Sequence, residues 1–405
     1  MPYQTRGFAY KSSRTPYAKP RRARRTSPNG HGQYIDPARF VKVANPVAPE
    51  DYVPKHKFAD FAIDSRLHEN IAKKGFITPT PIQDQTIELG LAGQDVVGIA
   101  NTGTGKTAAF LVPILNRLMS DRSSRALIVA PTRELAQQIE TERRALSKGG
   151  RVYGALLIGG SSYGPQLADL RRNPNIVVGT PGRIKDHLEQ HSLNLGKFNV
   201  VVLDEVDRML DMGFVDDVRL LLGKLAEQRQ AFYFSATMDR RVSALIDGFS
   251  PNAATVSVRQ GDTSENVHQD VIPFTDNANK LEALHTLLVE PLVTKSIVFE
   301  STQRGVERLE KELKSRGFEV AAMHGGKTQG QRRRALDAFK SSKVPIMIAT
   351  DVAARGIDVA DISHVVNYGM PQTYEDYTHR IGRAGRAGKV GYALTFVPAE
   401  SAAGR

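Results

Sequence analysis

The sequence predicts an α/β protein of two tandem domains, each a mostly parallel sheet covered by helices on both faces, behind a basic N-terminal tail. Two observations predict it. Short, continuously apolar runs alternate with helical patterns, and the alternation restarts after residue 270. Strands without polar alternation are buried on both faces, which is the signature of parallel sheets. Gly-Lys-Thr occurs at 105–107 and again at 326–328, but only the first completes the run Thr-Gly-Thr-Gly-Lys-Thr, so the second half is expected to be a similar layer without its own phosphate loop. The expected organisation is a tail over 1–57, largely disordered, a first domain over 58–255, a linker over 256–269, a second domain over 270–398 and an end over 399–405.

The length of 405 residues allows two or three domains that each bury a core. The absence of cysteine excludes disulfides and cysteine-based zinc sites and fits a reducing compartment, so a cytoplasmic protein is expected. No apolar run approaches a membrane span, so no membrane association is expected. A formal charge of +12 is the footprint of a polyanionic partner, nucleic acid before membrane. In the tail, Arg and Lys at 19–25 are interleaved with Tyr3, Tyr10 and Tyr17. That composition suits phosphate contact and base stacking, or simply a solvated tail. Residues 34–44 differ, with Ile35, Phe40, Val41 and Val43 reading as a short docking or partner-binding segment.

Residues 100–107, Ala-Asn-Thr-Gly-Thr-Gly-Lys-Thr, follow one strand and open one helix. Glycines let backbone N–H groups approach phosphate, and the helix N-terminus favours the anion. Lys106 can reach terminal phosphates, and the Thr107 hydroxyl can ligate Mg²⁺. Thr102, Gly103, Thr104 and Gly105 complete the loop. Upstream, Thr80 reads as a helix N-cap, and the Gln83 amide has the donor and acceptor that an adenine edge needs. After the strand at 199–203, Asp204 and Glu205 appear at its mouth. Asp204 can hold Mg²⁺ through water and Glu205 can activate an attacking water. The alternative is an acidic helix N-cap. In the second half, Arg380, Arg383 and Arg386 are spaced by glycines. They suit a charge clamp on a transferring phosphate or a basic loop on nucleic-acid phosphates.

Together these residues resemble the DEAD-box ATP-dependent RNA helicases, from Phe58 to about Val397. The resemblance implies two RecA-like domains, ATP and Mg²⁺ as ligands, and RNA as partner with little sequence specificity. It implies that Phe58 stacks on adenine, and that Thr78 and Gln83 belong to the base-recognition motif. Residues 100–107 match the family's phosphate loop, which also begins with Ala. Thr132, Arg133, Gly160, Thr180 and Arg183 fall on RNA-backbone motifs of the first domain, and Thr302, Arg332 and Thr350 on those of the second. Asp207, Ser235, Thr237 and His379 fall on coupling motifs, Asp358 on the ribose contact, and Arg383 and Arg386 on the arginine fingers. The signature tetrad reads Asp-Glu-Val-Asp, with Val206 where the family has Ala. The larger side chain is expected to alter packing and not the chemistry. The expected protein is a monomer that unwinds short duplexes or remodels RNA–protein complexes, with ribonucleoprotein partners; a non-unwinding ATP-gated clamp and a DNA translocase are the rival readings.

Overall fold

A computed structural model describes residues 35–44, 52–101, 103–258, 266–354, 359, 361–385 and 389–402. The basic run at 19–25, Thr102, Asp358 and Arg386 lie outside the described residues.

The first sheet has seven strands: β1 (Val96–Ile99), β2 (Ala126–Val129), β3 (Gly154–Leu157), β4 (Ile176–Gly179), β5 (Val200–Asp204), β6 (Gln230–Ser235) and β7 (Ala254–Ser257). Their order is β3-β4-β2-β5-β6-β1-β7, and every pairing is parallel. The second sheet has six: β8 (Val267–Phe274), β9 (Ser296–Phe299), β10 (Val320–Met323), β11 (Ile346–Ala349), β12 (His364–Asn367) and β13 (Gly391–Pro398). They run β10-β11-β9-β12-β13-β8, also parallel throughout. Matched position by position, β8 stands where β1 stands. The second sheet therefore repeats the first, with no Gly-Lys-Thr directly after β8 and, among the described residues, no strand of its own in the place of β7.

Each sheet sends alternate side chains into two cores, as a strand's period of two requires. Val96 and Ile128 face one side of the first sheet, while Val97, Leu127 and Val129 face the other. Met347 and Ile348 divide likewise in the second. Each such fully buried aliphatic side chain stabilises its domain by about 1.5–3 kcal/mol relative to exposure.

The strands enter the stretch expected as linker. Val256 and Ser257 belong to β7 and Val267 to β8, so sheet pairing runs into both ends of 256–269. These segments carry no continuous apolar run because each is an edge strand with positions left open to solvent. Within the tail, residues 35–44 and 52–57 are folded onto the domains, and the docking segment expected at 34–44 falls on the first of these. Phe40 is fully buried in the second domain's core beside Val267 and Tyr377. Apolar side chains too sparse to form a core of their own find one already built. Nearer the first domain, Asp84 gathers the Tyr52 hydroxyl (2.6 Å), the Lys55 N–H (2.8 Å) and the His56 ring (2.7 Å).

Candidate nucleotide and RNA site between the domains

In parallel sheets, ligands bind beyond the carboxyl ends of the strands. Strand order divides that edge in two. The loops after β1, β5 and β6 are neighbours and carry Lys106, Glu205 and Thr237. The loops after β2, β3 and β4 form the other half and carry Thr132, Gly160 and Thr180. The second sheet repeats the division, with Thr302 and Thr350 beyond β9 and β11.

In the first half, Gly103 and Gly105 adopt left-handed backbone (φ 87° and 91°), and the helix Lys106–Ser120 starts directly after them. A Cβ on Gly105 would also overlap the Gln83 amide. Gln83 is 5% exposed, accepts from the Thr80 N–H (2.9 Å) and donates to the Gly105 carbonyl (3.0 Å). One N–H and one lone pair of its amide remain for a base. The Thr80 hydroxyl donates to the Thr104 carbonyl (2.8 Å), so the corner before the helix Pro81–Leu91 is fastened to the phosphate loop twice. Thr78 is exposed at that corner. Phe58 differs from expectation. It is 3% exposed and packs on Phe61 and Phe76, so it offers no open face to an adenine ring. In this position it supports the corner instead.

Lys106 donates from Nζ to the Ala100 carbonyl (2.8 Å). Asp204 is buried at the end of β5, and its Oδ1 has no hydrogen-bond partner. Burial pushes its carboxyl up to about 7, against the pull of Lys106 and with the push of Glu205. A buried carboxylate with an orphaned oxygen is poorly satisfied by protein alone, and a divalent cation would complete it. With the half-buried Thr107 in the first turn of the helix Lys106–Ser120, beyond β1, the donor types present fit Mg²⁺. Glu205 has left-handed backbone (φ 56°), costly for a non-glycine residue and typical of a residue held in place for function. Its carboxylate pairs with Arg208 at 2.7 Å, both groups being buried. Arg208 was not anticipated, although its position one helical turn after Glu205 is the available signal.

Asp207 joins β5 to the loop after β6. Its Oδ2 accepts from the N–H of Ala236 (3.0 Å), the N–H of Thr237 (2.9 Å) and the Thr237 hydroxyl (3.1 Å). The Ser235 hydroxyl accepts from the Asp207 N–H (3.3 Å). Val206 points the other way, fully buried among Leu203, Met209 and Tyr233. Val206→Ala removes two methyl groups from that core. It is expected to destabilise the first domain by about 2 kcal/mol, read in thermal unfolding, with the hydrolysis rate unaltered.

Arginines dominate the other half. Arg133 lies over Gly160, where a Cβ would collide with its guanidinium and where the backbone is left-handed (φ 71°). Arg183 donates to the Ser161 carbonyl (3.2 Å). Arg332, from the second domain, pairs with Glu134 of the first at 2.9 Å. Gln329 donates to Glu134 and Gln137 (3.3 Å each), so the helix Gln329–Lys340 sits against the helix Arg133–Leu146. Burial, then the neighbouring charges of Arg332 and Arg183, holds Arg133 below the ordinary guanidinium range. Like charges gathered this closely are ones that a polyanion would stabilise. Thr132 and Thr302 are N-caps, accepting from the N–H of Leu135 (3.3 Å) and Gly305 (3.0 Å). Thr180 likewise precedes the helix Pro181–Glu189, and Thr350 is buried after β11.

Across the domain boundary, Arg208 of the first domain and Asp351, His379, Arg380 and Arg383 of the second line one small cavity. Arg383 thus lies in the same space as the arginine that holds Glu205. Arg380 is structural: it forms a two-pronged pair with Asp351 (2.6 and 2.7 Å) and donates to Asn367 (3.1 Å) and the Gly369 carbonyl (2.6 Å). Asp351→Asn is expected to destabilise the second domain by roughly 3 kcal/mol or more, because it leaves a buried guanidinium poorly compensated. Urea unfolding of the full chain measures this.

The comparisons agree with this geometry. The DEAD/DEAH box helicase family matches residues 80–245, and the helicase conserved C-terminal domain matches 279–388. The chain belongs to the DEAD/DEAH box helicase family. It is 41% identical over 342 residues to the DEAD-box ATP-dependent RNA helicase CshA of Bacillus subtilis, covering 84% of this chain and 69% of that protein. It is also 41% identical to the ATP-dependent RNA helicase CshA of Listeria monocytogenes, over 84% of this chain and 66% of that one. The chain spans about two thirds of the length of these relatives. Among solved structures, S. cerevisiae Dbp5 bound to RNA and ADP BeF3 matches with a TM-score of 0.74 and 31% identity, covering 84% of this chain and 89% of that one. Mss116p bound to ssRNA and AMP-PNP matches at 0.76 and 31% identity, over 87% and 77%. These neighbours give the two sheets of this helicase the tandem RecA-like arrangement. Among the described residues, no helix is long and apolar enough to cross a membrane.

Proposed function

We propose that this helicase hydrolyses ATP when RNA bridges its two domains, and that the cycle separates short RNA duplexes or remodels RNA–protein complexes. The observation that carries the reading is the shared cavity, where Arg208, tied to Glu205, meets Arg383 of the other domain. ATP lies against the phosphate loop, with Lys106 released from Ala100 to the terminal phosphates. Asp204, through water, and Thr107 would hold Mg²⁺, which would supply charge neutralisation on the phosphate oxygens. Glu205 accepts a proton from the attacking water. Arg383, with Arg386 beside it in sequence, stabilises charge on the phosphoryl group in flight. Asp358 contacts the ribose.

RNA lies along the other half of both sheet edges, over Thr132, Arg133, Gly160, Thr180 and Arg183, then Thr302, Arg332 and Thr350. Backbone and 2′-OH contacts explain RNA preference without sequence readout. Asp207, Ser235, Thr237 and His379 link the two halves. The basic tail adds non-specific affinity. The chain works as a monomer in the cytoplasm, with ribonucleoproteins as partners.

The test is strand separation of a short RNA duplex by the purified chain. ATP-dependent release of one strand is expected. ATP-dependent RNA binding with no strand release contradicts it and leaves a clamp.

A further inference from the structure

Residues 35–44 hold a place in the second domain that its own strands leave open. In the first sheet, β7 covers the outer side of β1. In the second sheet, β8 has the position of β1, and its outer side is met by Lys42. The Lys42 N–H donates to the Gln269 carbonyl (2.9 Å) and the Gln269 N–H donates to the Lys42 carbonyl (2.8 Å). The Ala44 N–H continues the attachment to Nδ1 of His268 (3.2 Å). Just before this bridge, the turn Pro37–Phe40 is capped by Asp36, which accepts from the Ala38 N–H (2.9 Å).

What that turn touches is the helix Tyr374–Ile381. The Phe40 ring packs on Tyr377 with centroids 4.6 Å apart, and neither ring is exposed. The Arg39 guanidinium lies 3.7 Å over the ring of Tyr374. The Tyr377 hydroxyl donates to the Gln269 side chain (2.9 Å), whose backbone pairs with Lys42. This helix carries His379 and Arg380 and is followed within one turn by Arg383. It is thus held on one side by Arg380 on Asp351 and on another by Phe40 and Arg39.

We infer that Phe40 and Arg39 are positioning residues for the arginine clamp, and that residues 35–44 are a working part of the second domain. Neither side chain lies in the cavity that Arg383 lines; both act through Tyr374 and Tyr377. Small displacements of a catalytic group are costly, so loosening this packing lowers the rate of the hydrolytic step and leaves nucleotide capture by the first domain intact.

The inference rests on the proposed RNA-dependent hydrolysis, and the test separates the two. In the full-length chain, Phe40→Ala is expected to lower the RNA-stimulated kcat about tenfold, with KM for ATP held. Phe40→Leu is expected to recover most of the rate. Arg39 is exposed, so Arg39→Ala cannot unfold the domain. It is expected to lower kcat about threefold with an unchanged melting temperature. Hydrogen exchange of residues 374–381, which needs no ATPase activity, is expected to speed up in Phe40→Ala and Arg39→Ala. Wild-type exchange rates in both variants would overturn the inference. So would a wild-type kcat in Arg39→Ala, or a Phe40→Ala chain that loses kcat only in proportion to its unfolded fraction. A wild-type chain without RNA stimulation would instead defeat the proposed function, and the exchange result would still stand.

Discussion

Glu205→Gln is expected to lower RNA-stimulated ATP hydrolysis about 10³-fold while ATP and RNA still bind. The substitution keeps shape and removes the ability to take a proton, together with the charge that pairs with Arg208. The environment of Glu205 makes that loss decisive. It sits at the mouth of β5, 5% exposed, on a left-handed backbone that fixes where its carboxylate points. The neighbouring carboxylate, Asp204, is buried deeper and keeps one oxygen without a hydrogen-bond partner, which a cation would complete. Two adjacent acids thus have different environments and different work. Gln retains a carbonyl oxygen for Arg208 but not the charge, so some loss of stability is expected as for Asp351→Asn, and thermal unfolding separates it from the loss of rate. Single-turnover hydrolysis, with equilibrium binding of a fluorescent ATP analogue as the control, measures both halves of the expectation. A rate within tenfold of wild type assigns the proton to another group.

Arg383→Ala is expected to be as severe, about 10³-fold in kcat, with KM for ATP nearly unchanged. The clamp acts on charge that exists only during transfer, so ground-state binding owes it little. Arg383 is 3% exposed in the cavity it shares with Arg208. Arg383→Lys is expected to regain only a small part of the rate, because an ammonium cannot reproduce the planar fork. A large rise in KM without loss of kcat would make Arg383 a binding residue only.

What could be read from the sequence was what is written locally. Gly105-Lys106-Thr107 after a strand, and Asp204-Glu205 at another strand's mouth, announce themselves because chain order and spatial order coincide there. Alternating apolar runs announced both sheets. What escaped depends on contacts between distant segments. Nothing near Phe58 says that Phe61 and Phe76 enclose its ring. Arg380 and Asp351 lie in separate stretches of the sequence, and only the fold makes them one buried pair. Phe40 could be marked as a docking residue, but its receptor, the Tyr377 ring, lies more than three hundred residues on. Edge strands β7 and β8 were missed because half-exposed strands lack the continuous apolar run that betrays a central one.

The central claim is that the site after β1 and β5 is half a site, completed by the second domain when RNA spans both. The steady-state ATPase rate of the full chain, measured without nucleic acid, with single-stranded RNA and with DNA of the same sequence, tests it most directly. The expected result is slow hydrolysis alone, stimulation of at least about tenfold by RNA, and little by DNA. The same rate in all three conditions would contradict it.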